Sequence, residues 1–248
     1  MERVLYQFPL SHYCEKVRWV LDHKGVTYRI HNQLPGPHAF MNRRRTGSPT
    51  VPVLVEQGKA IGGSHAIAMH LEAVGGDKPL LPKSRAAQTV LDETVSYFDH
   101  VVGPAVRRYV YGLITARPAM FSDVFFAGYS GVGQKLGRMM AFPVRKAIAS
   151  MYDVRASSAR ALPELIRSAA DRVEKQLEGG QRYLIEDRLT LADITVASLL
   201  GPMTGPVGSP WAFDLDLPEF AALKAELSAR PVGEYLRRQY EMRHAASV

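Results

Sequence analysis

The chain has 248 residues, 46% of them hydrophobic, with a single cysteine and a formal charge of +7. That is enough apolar material for one large domain or two ordinary ones, and one thiol excludes an intrachain disulfide and suits a reducing compartment. No apolar run approaches the roughly 20 residues of a membrane-spanning helix. Met1-Glu2-Arg3 leads into a short apolar strand pattern instead of the apolar core of a secretory leader, so a cytoplasmic protein with no membrane partner is expected. The positive charge leaves three partner classes open: nucleic acid, acidic lipid or an anionic small ligand. Its densest cluster is Arg43-Arg44-Arg45, with pairs at Arg107-Arg108 and Arg237-Arg238. Three adjacent arginines read as a solvated loop, and no nucleic-acid module is recognisable, so nucleic acid is not expected either.

In chain order, Val4 to Phe8 reads as a buried strand. From Leu10 to Leu21 the residues Cys14, Val17, Val20 and Leu21 recur at helical spacing, with Ser11 at the N-cap position, Glu15 in the first turn and Gly25 closing the helix. Val26 to His31 is a second strand, making a parallel strand–helix–strand unit. A loop with Pro35, Gly36 and Pro37 leads to a short helix near 38–44, broken by Gly47-Ser48-Pro49. Val51 to Val55 is a strand that opens on a proline, as the missing N–H allows. Gln57-Gly58 turns it into Ala60-Ile61, and Gly62-Gly63 opens a helix over 64–74. The first 80 residues thus read β-α-β-α-β-β-α. Pro79 to Pro82 links them to a purely helical remainder, with helices predicted over 84–116, 124–152, 162–177, 191–200, 218–229 and 232–243. Thr190-Leu-Ala-Asp193 is a capping box.

Ser11 and Cys14 carry the chemistry. A hydroxyl and a thiol in the first turn of a helix meet unpaired amides and a dipole that favour an anion, although either can equally be a cap or a small core residue. Other signals lead nowhere. Gly131-x-Gly133 followed by Gly137 has the wrong spacing for a dinucleotide loop and no preceding strand. His65 and His70 are five apart, and no residue cluster has metal-ligand spacing, so no metal is expected.

The order of these elements resembles that of the soluble glutathione transferases. Ser11 to Gly25 is similar to the first strand–helix turn of serine- and cysteine-type members, with Ser11 five positions before Lys16. Val51-Pro52 resembles the family's Val-Pro pair, whose proline is cis. Gly62 to Ile67 resembles its acid-Ser-x-Ala-Ile segment, and Tyr183 to Ala197 its C-terminal capping-box segment. The resemblance implies the glutathione transferase fold: an α/β thioredoxin-like N-terminal domain (1–78) followed, after a linker at 79–83, by an all-α domain (84–248). It implies glutathione as co-substrate and no metal. The site would comprise Ser11, His12, Tyr13, Thr50, Val51, Pro52, Gly63, Ser64 and His65, with Ser11 donating to the thiolate and Cys14 as the alternative catalytic residue. The cysteinyl backbone would pair with Val51, and the γ-glutamyl carboxylate would sit on Ser64 and the amides beside it. A small hydrophobic electrophile would lie against Tyr13, Arg108 and Tyr111, in a cytoplasmic homodimer active in detoxification.

Gly63 departs from the pattern by replacing the family's acid, which leaves the γ-glutamyl ammonium short of a carboxylate. The long helix after Ser84 offers Asp92, Glu93 and Asp99; Asp92 and Asp99 share a face, and Asp99 of a second subunit is the candidate to fill the gap. Three functions follow from the resemblance: glutathione conjugation, a thiol reductase or lyase using Cys14, and a non-catalytic binding relative.

Overall fold

The computed structural model describes residues 2–74, 78–152 and 158–245. Four strands, β1 (Arg3–Gln7), β2 (Arg29–Asn32), β3 (Val53–Glu56) and β4 (Lys59–Gly62), form one sheet in the order β2-β1-β3-β4. β1 runs parallel to β2 and antiparallel to β3, and β3 antiparallel to β4. A parallel pair needs a crossover, supplied by α1 (His12–His23). Gln57 and Gly58 both hold positive φ, 50° and 78°, as a two-residue hairpin turn requires. Two further helices, α2 (Pro37–Thr46) and α3 (Ser64–Ala73), complete this part.

Two strands begin later than predicted, for local reasons. Val26 gives its amide to Leu21 O at 3.0 Å and so stays out of the ladder. Pro52 has no N–H to offer, and the ladder starts at Val53. The arginine triplet is a correction: it is the last turn of α2, not a loop, closed by Gly47 at φ 78°, where cations complement the helix dipole. The register pairs Tyr6 with Val53 and Val53 with Gly62. The segments 8–11, 50–52 and 62–64 therefore converge at one end of the sheet.

Past residue 84 the described residues are helical or irregular. α4 (Arg85–Tyr97) passes through a π-turn (Phe98–Val102) into α5 (Gly103–Thr115). The single helix predicted over 124–152 is instead α6 (Pro118–Phe125), α7 (Gly131–Met139) and α8 (Ala141–Met151). It breaks because the backbone at Gly128 lies against Pro9, where no Cβ would fit, and because Gly131 turns at φ 56°. α9 (Ser158–Gln176), α10 (Leu191–Leu200), α11 (Pro218–Ser228) and α12 (Pro231–Ala245) follow.

All ten residues of α10 are buried, and the helix starts on its capping box. Asp193 accepts from Thr190 N and Oγ1 at 2.8 Å each, from Leu184 N at 2.9 Å and from Tyr235 Oη at 2.8 Å. One core runs from Leu5 and Leu54 in the sheet through Val17 and Leu21 to Ile194 and Tyr240. α12 ties back to α1: Trp19 meets Tyr240 at 4.7 Å between ring centroids, and Arg243 bonds Glu15 and Asp22. Among the described residues no helix is long and apolar enough to cross a membrane.

Candidate functional site

Ser11 sits where β1 hands over to α1. Its backbone is extended (φ −77°, ψ 120°), and its Oγ accepts the Cys14 amide at 3.4 Å, so it is the N-cap. The loop that presents it is held on every side. Ser11 N bonds Phe8 O at 3.2 Å, Arg18 reaches Pro9 O at 3.2 Å, and Trp211 Nε1 reaches Leu10 O at 3.1 Å. Arg18 is fixed in turn by Glu15 at 2.7 Å. The Cys14 sulfur lies beside the Ser11 side chain and the Phe8 backbone. Cys14 is wholly buried with Val17 and Leu21, and burial pushes its thiol up, against the pull of Ser11, Arg18 and the Phe8 backbone.

His12, Tyr13 and Lys16 clasp the long helix. In the π-turn Gly103 N bonds back to Phe98 O, so the next donor due at Asp99 O is residue 104. That residue is proline and has no N–H. The orphaned Asp99 carbonyl is taken by Tyr13 Oη at 2.7 Å. Only glycine fits at 103, since a Cβ there would lie 2.5 Å from that hydroxyl. His12 Nε2 reaches Gly103 O at 3.2 Å, and burial, then the charge of Arg107, push this imidazole down to about 3. Lys16, fully buried, holds the Asp99 carboxylate at 2.8 and 2.9 Å. The carboxylate that the sequence offers to a neighbouring subunit is thus engaged by a lysine of its own chain.

The second wall is the segment before β3. The Val51–Pro52 peptide is cis. Asn42, wholly buried, exchanges amide bonds with Gln33 at 2.9 and 3.0 Å and gives a third to Thr50 O at 3.1 Å, which fixes the approach to Val51. Among the described residues, no hydrogen bond takes up the Val51 backbone. Beside it, Gly63 N bonds Pro52 O at 3.0 Å, and Gly63 caps α3 at φ 90° without a side-chain cap. The amides that open α3 at Ser64 and His65 therefore have no side-chain acceptor of their own. Ser64 is buried and His65 exposed, near Lys16 and Asp99.

From the helical part, α5 presents Arg107 and Tyr111, four residues apart and so on one face. The Arg107 guanidinium lies 5.8 Å from the Tyr13 ring centroid and 4.5 Å from that of Tyr152, and Tyr111 packs on Tyr152 and Phe125. Sequence reading named Arg108 and overlooked Arg107; the four-residue step to Tyr111 was the available signal. Asn42 and Trp211 were also missed, because each acts through a backbone carbonyl outside its own element, Asn42 on Thr50 O and Trp211 on Leu10 O far away in sequence. No group of residues that could hold a metal occurs among the described residues.

Residues 5–79 match the glutathione S-transferase N-terminal domain family, and residues 138–231 match the C-terminal domain family. No curated protein matches the sequence. Solved structures share the fold. FzlA from C. crescentus aligns at 18% identity and TM-score 0.60, over 95% of this chain and 92% of its own. The β-etherase LigF from Sphingobium sp. strain SYK-6 gives 19% and 0.63, over 96% and 100%. A glutathione S-transferase from Methylobacterium radiotolerans, in complex with glutathione sulfonate, gives 21% and 0.57, over 95% of each chain. With both family domains matched in order across a sheet, a cis-proline segment and a helical part arranged as described, the chain belongs to the glutathione S-transferase family.

Proposed function

We propose that the protein conjugates the thiolate of glutathione to a small hydrophobic electrophile, with Ser11 holding the anion. The observation that carries this reading is the division of labour in the first turn of α1. Ser11 caps the helix with an oxygen lone pair and has an O–H to give to an incoming thiolate, while the adjacent Cys14 thiol is wholly buried and pushed up by that burial. A working thiol needs access and a depressed pKa, which favours Ser11 over a reductase reading built on Cys14. Bringing a thiol from about 8.5 to about 6.5 takes roughly 2.7 kcal/mol of preference for the anion. A charge-assisted hydrogen bond and a helix N-terminus are the means at hand.

The rest of the tripeptide has matching partners. Its cysteinyl backbone lies along the free Val51 edge as an added strand, with Thr50 and Pro52 on either side. Its γ-glutamyl carboxylate rests on Ser64 and the α3 amides beside Gly63 and His65. The electrophile meets Tyr13, Arg107 and Tyr111. His12 is a strut in this scheme, since its ring is turned to Gly103. The active form is a cytoplasmic homodimer. Conjugation to chlorodinitrobenzene tests the reading: Ser11→Ala should lower kcat/KM by up to about a hundredfold, the scale of one lost oxyanion donor.

One observation favours a second reading, a non-catalytic binding protein. Gly63 supplies no acid for the ammonium, and Asp99 is held by Lys16. Retention on immobilised glutathione without turnover of any electrophile or mixed disulfide would select it.

A further inference from the structure

The excess positive charge of the chain is not spread over the molecule. α2 and the α7–α8 pair together hold seven basic residues and no acidic one, which equals the whole formal charge of +7. Arg43 to Arg45 contribute three, and Lys135, Arg138, Arg145 and Lys146 four. Elsewhere cations and carboxylates balance.

The same two segments expose large apolar side chains. Phe40 is 64% exposed, Phe142 61% and Met139 79%, with Met41, Val132 and Leu136 also open. Val132, Leu136 and Met139 follow helical spacing and form one stripe of α7. The segments adjoin: the Met140 methyl stands 3.3 Å from where a Cβ of Gly36, the cap of α2, would lie. Tyr129, just before α7, donates to Gln33 O at 2.6 Å, just before α2. The same pairing recurs on both sides. Arg44 lies over the Phe40 ring at 5.6 Å and Lys146 over the Phe142 ring at 4.8 Å, each cation one turn after its phenylalanine. Arg138 meets Asp123 at 3.4 Å in an exposed pair, and Arg145 donates to the uncharged Thr115 O at 2.7 Å.

We infer that this face is an interfacial patch that lies on an anionic lipid bilayer. The cations meet headgroup phosphates while the phenylalanine, methionine and leucine side chains enter the boundary between headgroups and acyl chains. Nucleic acid would satisfy the charge but offers little to a stripe of Val132, Leu136 and Met139, whereas a bilayer satisfies both. The lack of a spanning helix among the described residues bears on crossing a membrane, not on resting upon one.

Co-sedimentation with vesicles of phosphatidylglycerol and phosphatidylcholine, against vesicles of phosphatidylcholine alone, tests this. Wild type should partition at least tenfold more strongly into the anionic vesicles and be released by high salt. A Phe40→Ser/Phe142→Ser variant, with every charge intact, should lose at least tenfold, and Arg44→Glu/Lys146→Glu a similar factor. These side chains are exposed, so circular dichroism and Tm should match wild type; Met139→Ser serves if the double variant does not fold. Equal binding to both vesicle types, or undiminished binding by the phenylalanine variant, overturns the inference. So does phenylalanine-independent binding to duplex DNA with indifference to vesicles, or a phenylalanine-dependent dimer in sedimentation velocity with no vesicle binding.

Discussion

At Gly63 the backbone holds φ at 90°, with open space where a Cβ would project. In the proposed scheme the position lacks an acid for the glutathione ammonium, yet its conformation is one that glycine adopts without strain. Gly63→Glu should therefore do two opposite things. It should destabilise the fold by about 1–3 kcal/mol through the left-handed backbone, and it should tighten glutathione about tenfold, the worth of a charged hydrogen bond. Differential scanning calorimetry and isothermal titration read the two separately; weaker binding would mean the ammonium is not at this position. His12 gives a second prediction at this scale. The folded protein keeps it neutral down to about 3, while the unfolded chain takes up a proton near the ordinary 6.5. Below that value the unfolded state binds the extra proton, so stability is full above about 6.5 and is lost as pH falls toward 3. In urea melts at about pH 7 and about pH 5, His12→Gln should show a smaller drop than wild type; an equal drop would put the titration elsewhere.

Among the elements, α10 and the π-turn helix rest on buried polar groups whose removal should cost unequal amounts. Thr190→Ala loses a cap contact, about 0.5–2 kcal/mol. Asp193→Ala strands the Leu184 and Thr190 amides and two hydroxyls that it now satisfies, and buried unsatisfied donors cost about 1–3 kcal/mol each. It should be clearly the worse of the two in chemical denaturation. Asp99→Asn leaves the Lys16 ammonium buried without its partner, a loss of about 3–5 kcal/mol, whereas Lys16→Met with Asp99→Leu should recover most of it. If Asp99→Asn is neutral in stability and instead weakens glutathione binding in the dimer, the carboxylate serves a second subunit after all.

The α10 cap was legible in the sequence because a capping box is local, three residues wide and followed by an apolar run. The clasp was not. Tyr13 to Asp99 and His12 to Gly103 join residues far apart in sequence, and no periodicity announces such a pair. Gly103-Pro104 in mid-helix was its one local sign. The break of 124–152 into three helices was likewise hidden, since what forbids a longer helix is Pro9 pressing on Gly128.

For the whole molecule, the sheet and the helical part share one core and are joined by Arg243 on Glu15 and Asp22 and by Trp211 on Leu10 O. Both tryptophans, Trp19 and Trp211, lie at these junctions. Unfolding should be a single transition, with tryptophan fluorescence and far-ultraviolet circular dichroism coincident. Arg243→Ala should lower its midpoint without splitting it; two separated transitions would mean that the parts fold independently. The order of elements was readable from turn residues and periodicity, which is why the family could be recognised. The concentration of charge and exposed apolar groups on α2 and α7–α8 was not, because it depends on two segments remote in sequence lying side by side.

The central claim, that Ser11 holds glutathione as its thiolate, is tested most directly by titrating the ultraviolet absorbance of the bound thiolate against pH. Wild type and Cys14→Ala should ionise the bound thiol about two units below the free value of about 8.5, and Ser11→Ala should return it to near that value. An unshifted thiol in wild type, or a shift that survives Ser11→Ala and vanishes with Cys14→Ala, would contradict it.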